Sequence, residues 1–331
     1  MATPTLRALR AQCPGAHIVY ACRPYVRPLL DGLDWHDDLL LEPGGGPAAF
    51  LRLVRGIRKA GCDTALLLSS SFGSAAVCRA AGIPRRVGYA VHGRGWLLTD
   101  PLPPLRDARG ASLPDYMGRL YVRLAEGIGC AVGDRRMALA TTPREEAAAA
   151  TLWSRHGLEG RRVVGLVPGA AFGSAKCWPP GHFAALARAV RAETGTPALV
   201  LYGPGEEAIA EAIRKDAGED ALRLAGPGEI DLGALKAAVR RLAVAVTNDT
   251  GPRHIAEALG VPAVVLLGPM DPRYTDSGNP AVTVLREPVD CAPCNLRTCP
   301  IDHRCLVRIT PERVMAAVRE RLDRQDPRNA A

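Results

Sequence analysis

Strand-sized apolar runs alternate with helix-sized amphipathic stretches along this chain, and the alternation starts afresh near residue 158. Strands that alternate with helices in this way argue for largely parallel sheets, because a helical crossover returns the chain to the end of the sheet where the previous strand began. In the first part the strand runs are 17–22 (HIVYAC), 64–68 (TALLL) and 86–89, with helical patterns over 5–12, 47–60, 73–81, 115–128 and 144–156. After the restart, strands are predicted at 163–167, 197–202, 221–224, 243–247 and 263–267, and helices at 182–194, 206–216, 232–241, 253–259 and 311–324. The 93–112 stretch, rich in Gly, Pro and Arg, reads as loop. The pattern predicts an α/β protein of two Rossmann-like domains, 1–157 and 158–331, and a length of 331 residues suits two domains.

The first half departs from this pattern at its start. A doubly wound domain begins on a strand that lies in the middle of its sheet, whereas this chain opens inside the helix 5–12. Omitting a central strand would leave two ladders of unpaired backbone groups. The expectation is therefore that the natural product begins upstream of Met1, and that the first strand is missing from the sequence as given.

Composition narrows the function classes. No apolar run reaches the ~20 residues of a membrane span, and no secretory signal precedes the first helix, so a cytoplasmic protein is expected. The formal charge is +8, and 38 of the 42 basic residues are arginine, leaving Lys59, Lys176, Lys215 and Lys236 as the lysines. Such an excess reflects either base composition or affinity for a polyanion. With aromatics at 5% and no basic block interleaved with them, nucleic acid is excluded as the expected partner.

Four segments could carry chemistry. In 244–259 (VAVTNDTGPRHIAEAL) a buried strand runs through Asn248-Asp249-Thr250-Gly251 into a helix, placing free N–H groups and a positive dipole end where a phosphate would bind. Thr250 could cap that helix or meet the phosphate, Gly251 lets a ligand approach the backbone, and His254 lies in the first turn. In 163–180 (VVGLVPGAAFGSAKCWPP) a strand leads into a loop of small residues ending at Lys176, whose compact ammonium suits a diphosphate oxygen. The plainer alternative is an exposed lysine beside a core Trp178. In 199–207 (LVLYGPGEE) a glutamate after a strand could accept from ribose hydroxyls, or merely favour a helix dipole. Finally, Cys291, Cys294, Cys299 and Cys305 fall within fifteen residues. A metal knuckle, a disulfide or redox pair, and a loop of free thiols all remain open for them, with His303 as a substitute ligand.

Together these segments resemble glycosyltransferase family 9, the ADP-heptose:lipopolysaccharide heptosyltransferases, and within it the heptosyltransferase II type. The resemblance spans nearly the whole chain. It rests on Pro168-Gly169-Ala170 with Lys176-x-Trp178-Pro179, on Asn248-Asp249-Thr250-Gly251 with His254, on the cysteine-rich tail through Thr310-Pro311-Glu312, and on 81–89 (AGIPRRVGY) with 96–99 (WLLT). It implies a GT-B fold, two Rossmann-like domains facing across a cleft, the second holding the donor nucleotide. It implies inverting transfer of heptose from ADP-heptose to the inner core of lipopolysaccharide, at the cytoplasmic face of the inner membrane, by a monomer with no cofactor and no catalytic metal.

By the same resemblance Lys176 and the turn of Asp249, Thr250, Gly251 and His254 would bind the diphosphate, with Gly169 and Ser174 also at the donor site. Glu206, or its neighbour Glu207, would take the ribose, and Ile230 and Leu232 the adenine. Arg79, Arg85, Arg86, Arg94 and Arg119 become candidates for the phosphorylated, carboxylate-bearing acceptor. Family members carry their general base on a Gly-Asp loop after the first strand, ahead of the segment that here begins at Met1. The implied consequence is donor binding with poor transfer unless an upstream segment is restored. Competing classes are a sugar-nucleotide epimerase of similar layout and a catalytically impaired ADP-sugar-binding protein.

Overall fold

The computed structural model describes residues 1–42 and 44–325, and the chain divides after Met137 into two compact units. In the first unit the elements run α1 (Thr3–Gln12), β1 (Val19–Cys22), α2 (Arg27–Leu30), β2 (Asp38–Leu41), α3 (Gly46–Ala60), β3 (Thr64–Leu66), α4 (Phe72–Ala81), β4 (Arg85–Tyr89), β5 (Asp100–Leu102) and α5 (Met117–Glu126). Their strands form two separate parallel sheets, β1-β2 and β3-β4-β5. Its apolar interior is correspondingly divided. Val54 and Ile57 of α3 meet Val77 of α4 and Ile83 in one cluster, Leu67, Ala75, Leu97 and Leu98 form a second, and Val122, Ala125, Cys130 and Val132 a third.

The second unit comprises α6 (Pro143–Arg155), β6 (Val164–Val167), α7 (Pro180–Thr194), β7 (Ala198–Leu201), α8 (Glu207–Ala217), β8 (Leu222–Ala225), α9 (Leu232–Arg240), β9 (Val244–Asn248), α10 (Gly251–Ala258), β10 (Ala263–Leu266), β11 (Val282–Leu285), α11 (Arg304–Val307) and α12 (Pro311–Asp323). All six strands are parallel, in the order β11-β10-β9-β6-β7-β8. β6, β7, β9 and β10 are buried along their whole length, as expected of parallel strands covered on both faces. One continuous core joins this sheet to α7 and α12 through Leu166, Trp178, Phe183, Val246, Val314 and Val318. Among the described residues no helix is long and apolar enough to cross a membrane.

Three strands were not read from the sequence. β5 lies in the 93–112 stretch that reads as loop and contains Pro101, which is tolerated because β5 is an edge strand. β2 and β11 are four-residue edge strands whose apolar runs are too short to stand out. The expected domain boundary at 157/158 also differs from the division after Met137. The reason is α6, which packs on α9 of the second unit and carries Ala149, Leu152 and Trp153 as its buried face. Its capping box joins Thr142 to Glu145, and the same Glu145 carboxylate lies 3.2 Å from the wholly buried Lys236 ammonium of α9. A buried pair of this kind ties the helix to the unit that holds its counter-ion.

Candidate functional site

The strand order makes β6 and β9 neighbours while their following helices lead the chain in opposite directions across the sheet. Crevices at the carboxyl ends of such a pair are where parallel α/β sheets bind ligands. Both phosphate-type segments therefore arrive side by side: the loop 168–176 leaves β6, and Asp249-Thr250 leaves β9 for α10.

Asn248, wholly buried at the end of β9, clips the two loops together. Its Nδ2 donates to Pro168 O (2.7 Å) and its Oδ1 accepts the Trp178 N–H (3.0 Å). Trp178 is a core residue, with its Nε1–H donated to Ile309 O at 2.8 Å and its ring edge-on to Phe183. With Trp178 fixed from both sides, the short turn Ser174–Lys176 is held against the end of β9. There the Lys176 ammonium lies 3.2 Å from Asp249 Oδ2, and Arg253 Nη1 donates to Asp249 Oδ1 at 2.8 Å. Burial works against ionisation of Asp249, but the Lys176 and Arg253 cations outweigh it and hold the carboxyl below the usual aspartate range. Arg253, wholly buried and four residues after Asp249, was not singled out in the sequence; its spacing of one helical turn was the available signal.

Thr250 precedes α10 without capping it: its hydroxyl donates back to Asn248 O at 3.4 Å, so no side chain accepts from the first N–H groups of the helix. Nothing lies within 4 Å of the point where a Cβ on Gly251 would sit, and the residue is exposed. The amides of this turn are thus open to an anion. His254 stands in the same turn. Burial, the Arg253 charge and the Lys176 charge push its pKa down to about 3, so its ring is neutral at physiological pH and offers a hydrogen bond rather than a charge.

The Glu206 carboxylate accepts the Gly203 N–H (2.8 Å) and lies on the Cα of Gly169, where a Cβ would come within 1.8 Å of its Cδ. Glycine at 169 is therefore what lets Glu206 reach the end of β6. Glu207, the alternative for the same role, is exposed in the first turn of α8. Ile230 is half-buried in the turn after β8, and Asp231 caps α9 by accepting the Ala234 N–H (2.8 Å). Ser174 is exposed and leads the Lys176 turn. The ends of β9, β6, β7 and β8 thus present, in order, the uncapped helix with Lys176, then Glu206, then Ile230. With about 4.8 Å between neighbouring strands, the row sets a cation beside open amides, then a carboxylate, then an apolar side chain along one edge of the sheet.

The arginines expected at an acceptor surface divide by partner. Arg94 is wholly buried, its Nε donating to Tyr89 O (2.9 Å) and its Nη1 to Ser69 O (2.6 Å) and Ser71 O (3.0 Å). This corrects its expected role: the side chain organises the serine turn before α4 and presents no surface to a ligand. Arg86 is likewise held by the carbonyls of Leu97, Ile83 and Pro84. Arg85 pairs with Asp100 (3.1 Å) and Arg119 with Asp115 (2.6 Å), while exposed Arg79 lies over the Trp96 ring at 6.0 Å. All ten cysteines are free thiols.

The family model for glycosyltransferase family 9 (heptosyltransferase) matches residues 50–304. The lipopolysaccharide heptosyltransferase 2 of Salmonella typhimurium is 28% identical over 326 residues, an alignment covering 95% of this chain and 92% of that protein. The solved E. coli ADP-heptose lipopolysaccharide heptosyltransferase II superposes with a TM-score of 0.78 at 26% identity, covering 98% of this chain and 95% of that one. A family 9 glycosyltransferase from Veillonella parvula, at 22% identity, shares the fold with a TM-score of 0.82 over 97% of this chain and 92% of its own. The two Rossmann-like α/β units are those of the GT-B class. With the family's model matched over residues 50–304 of its 331, the chain belongs to glycosyltransferase family 9, the heptosyltransferases.

Proposed function

We propose that this enzyme transfers heptose from ADP-heptose to the inner core of lipopolysaccharide, with inversion at the anomeric carbon. The observation that carries this reading is the Lys176 ammonium, held by Asp249 at 3.2 Å beside the uncapped N-terminus of α10. An ammonium has three donors, so Lys176 can keep Asp249 and still donate to a diphosphate oxygen. Asp249 itself repels an anion; its part is to orient Lys176 and Arg253. As the glycosidic bond to the diphosphate breaks, negative charge grows on the departing oxygen. The helix amides, the Lys176 charge and the neutral His254 ring are the groups placed to stabilise it. Glu206 takes the ribose hydroxyls, and Ile230 and Leu232 the adenine. Exposed Arg79, with Arg85 and Arg119, meets the acidic groups of the acceptor, and the enzyme works as a monomer in peripheral contact with the cytoplasmic face of the inner membrane.

The test is release of ADP from ADP-heptose, with and without inner-core acceptor, on the 331-residue chain and on a form extended upstream, paired with calorimetric ADP binding. Acceptor-dependent release, abolished in Lys176→Met together with tight ADP binding, is expected. Formation of epimerised nucleotide sugar, ADP binding without release in either form, or equal ADP affinity in Lys176→Met would overturn the proposal.

A further inference from the structure

The segment 291–305 bears directly on the Lys176 turn. Arg297 O accepts the Ala175 N–H (3.0 Å), and His303 Nε2 lies 2.7 Å from Ala175 O, so the peptide groups on both sides of Ala175 are gripped by the one segment. The approach is so close that a Cβ on Gly173 would lie 2.3 Å from Arg297 O. The guanidinium of Arg297 also covers the Phe172 ring at 5.2 Å, on which Lys176 Nζ lies at 5.8 Å. On its other side the segment is tied to the end of β10 by the Asn295 N–H donated to Pro269 O (2.9 Å). Yet from residue 286 to 303 the backbone has no helix or strand of its own. A clamp of irregular backbone needs a cross-link of another kind to hold its shape.

The four cysteines of this segment are the groups with the chemistry to supply one. Cys291, Cys294, Cys299 and Cys305 all line a single small cavity of about 70 Å³. Apart from Arg304 and His303, the other side chains around it are apolar, among them Ala292, Leu296 and Ile301. The volume is too small for an organic ligand and suits an ion. The chemistry selects its type, since thiols in apolar surroundings favour soft cations, and no carboxylate is present to favour a hard one. Cys305 is buried in α11 and gives a fixed point, whereas Cys291, Cys294 and Cys299 sit on irregular backbone at or near the surface. Among the described residues no three histidine, cysteine, aspartate or glutamate side chains are already gathered as around a metal. Loading therefore requires the loop to contract around Cys305 until each sulfur lies about 2.3 Å from the ion.

We propose that Cys291, Cys294, Cys299 and Cys305 form a tetrathiolate site for one soft divalent cation, zinc or ferrous iron, and that loading it locks the Lys176 turn in place through the grip on Ala175. The four thiol protons leave to buffer on binding, and the neighbouring Arg304 offsets part of the charge of the complex. The coupling to Lys176 rests on the donor-site reading above; the metal site does not.

The test is cobalt titration of the full-length, reduced, chelator-stripped protein. The expected result is one equivalent bound with sulfur-to-cobalt charge-transfer absorption, displaced by zinc, and lost in Cys291→Ser/Cys294→Ser, whose fold is checked by circular dichroism. Absence of the thiolate bands, or bands unchanged in that double variant, overturns the site. ADP affinity is then compared between stripped and zinc-loaded protein: tighter binding on loading supports the lock, and equal affinity overturns it. Cobalt bound through thiolates in a protein that binds no ADP in either state would refute the donor-site reading and the lock while supporting the metal site.

Discussion

Replacing Asn248 by alanine tests whether one buried amide holds the loops after β6 and β9 together. The substitution removes the donor to Pro168 O and the acceptor for the Trp178 N–H, both at a wholly buried side chain. Each buried group left without its partner costs about 1–3 kcal/mol, so two give about 2–6 kcal/mol, a large share of the ~5–15 kcal/mol that keeps a domain folded. Asn248→Asp is the internal control: it can still accept the Trp178 N–H but cannot donate to Pro168, and so should retain part of the stability. Urea unfolding followed by near-ultraviolet circular dichroism reads the stability, and calorimetry reads ADP binding. Because the clip fixes Lys176 through Trp178, ADP affinity should fall along with stability. An Asn248→Ala protein within about 0.5 kcal/mol of the parent, with unaltered ADP affinity, would refute the reasoning.

Two further outcomes follow from the charges beside it. Asp249→Asn leaves Lys176 and Arg253 without their shared counter-ion in a buried position, and a loss of about 3–5 kcal/mol is expected in the same unfolding assay; a neutral effect would mean that solvent or another group already satisfies those cations. The His254 ring should stay neutral to about pH 3 when followed by NMR, whereas in the unfolded chain it takes up a proton near pH 6.5. Between those values the unfolded state binds more protons, so His254 lowers stability as pH falls, by up to about 1.4 kcal/mol per pH unit. Replacement by glutamine should remove that slope, and an imidazole titrating near 6.5 in the folded protein would contradict the burial argument.

Much of the second unit was legible in the residues. Fully buried parallel strands announce themselves as short apolar runs, and the small residues and helix starts that follow β6 and β9 are local signals of an anion site. Edge strands were harder to see. β5, with its proline, and the short β2 and β11 each add at a sheet edge to the strand just before them, and it is that pairing, not their own pattern, that makes them strands. The position of α6 was lost for a similar reason, since Glu145 reads as a capping residue until Lys236 is brought beside it.

The sequence by itself determined the fold class and the strand-to-helix turns that follow β6 and β9, because periodicity and helix-start chemistry are properties of neighbouring residues. Which charges pair was decided only by tertiary structure. Arg94 looks like any other arginine in a basic chain, and becomes structural only because the serine turn and Tyr89 fold around its guanidinium. Lys176 and Asp249 are seventy-three positions apart, and it is the adjacency of β6 and β9 that brings them within 3.2 Å. The cysteine-rich segment belongs with them for the same reason. Its spacing is visible in the sequence, but its grip on Ala175 exists only because the sheet carries both loops to the same edge.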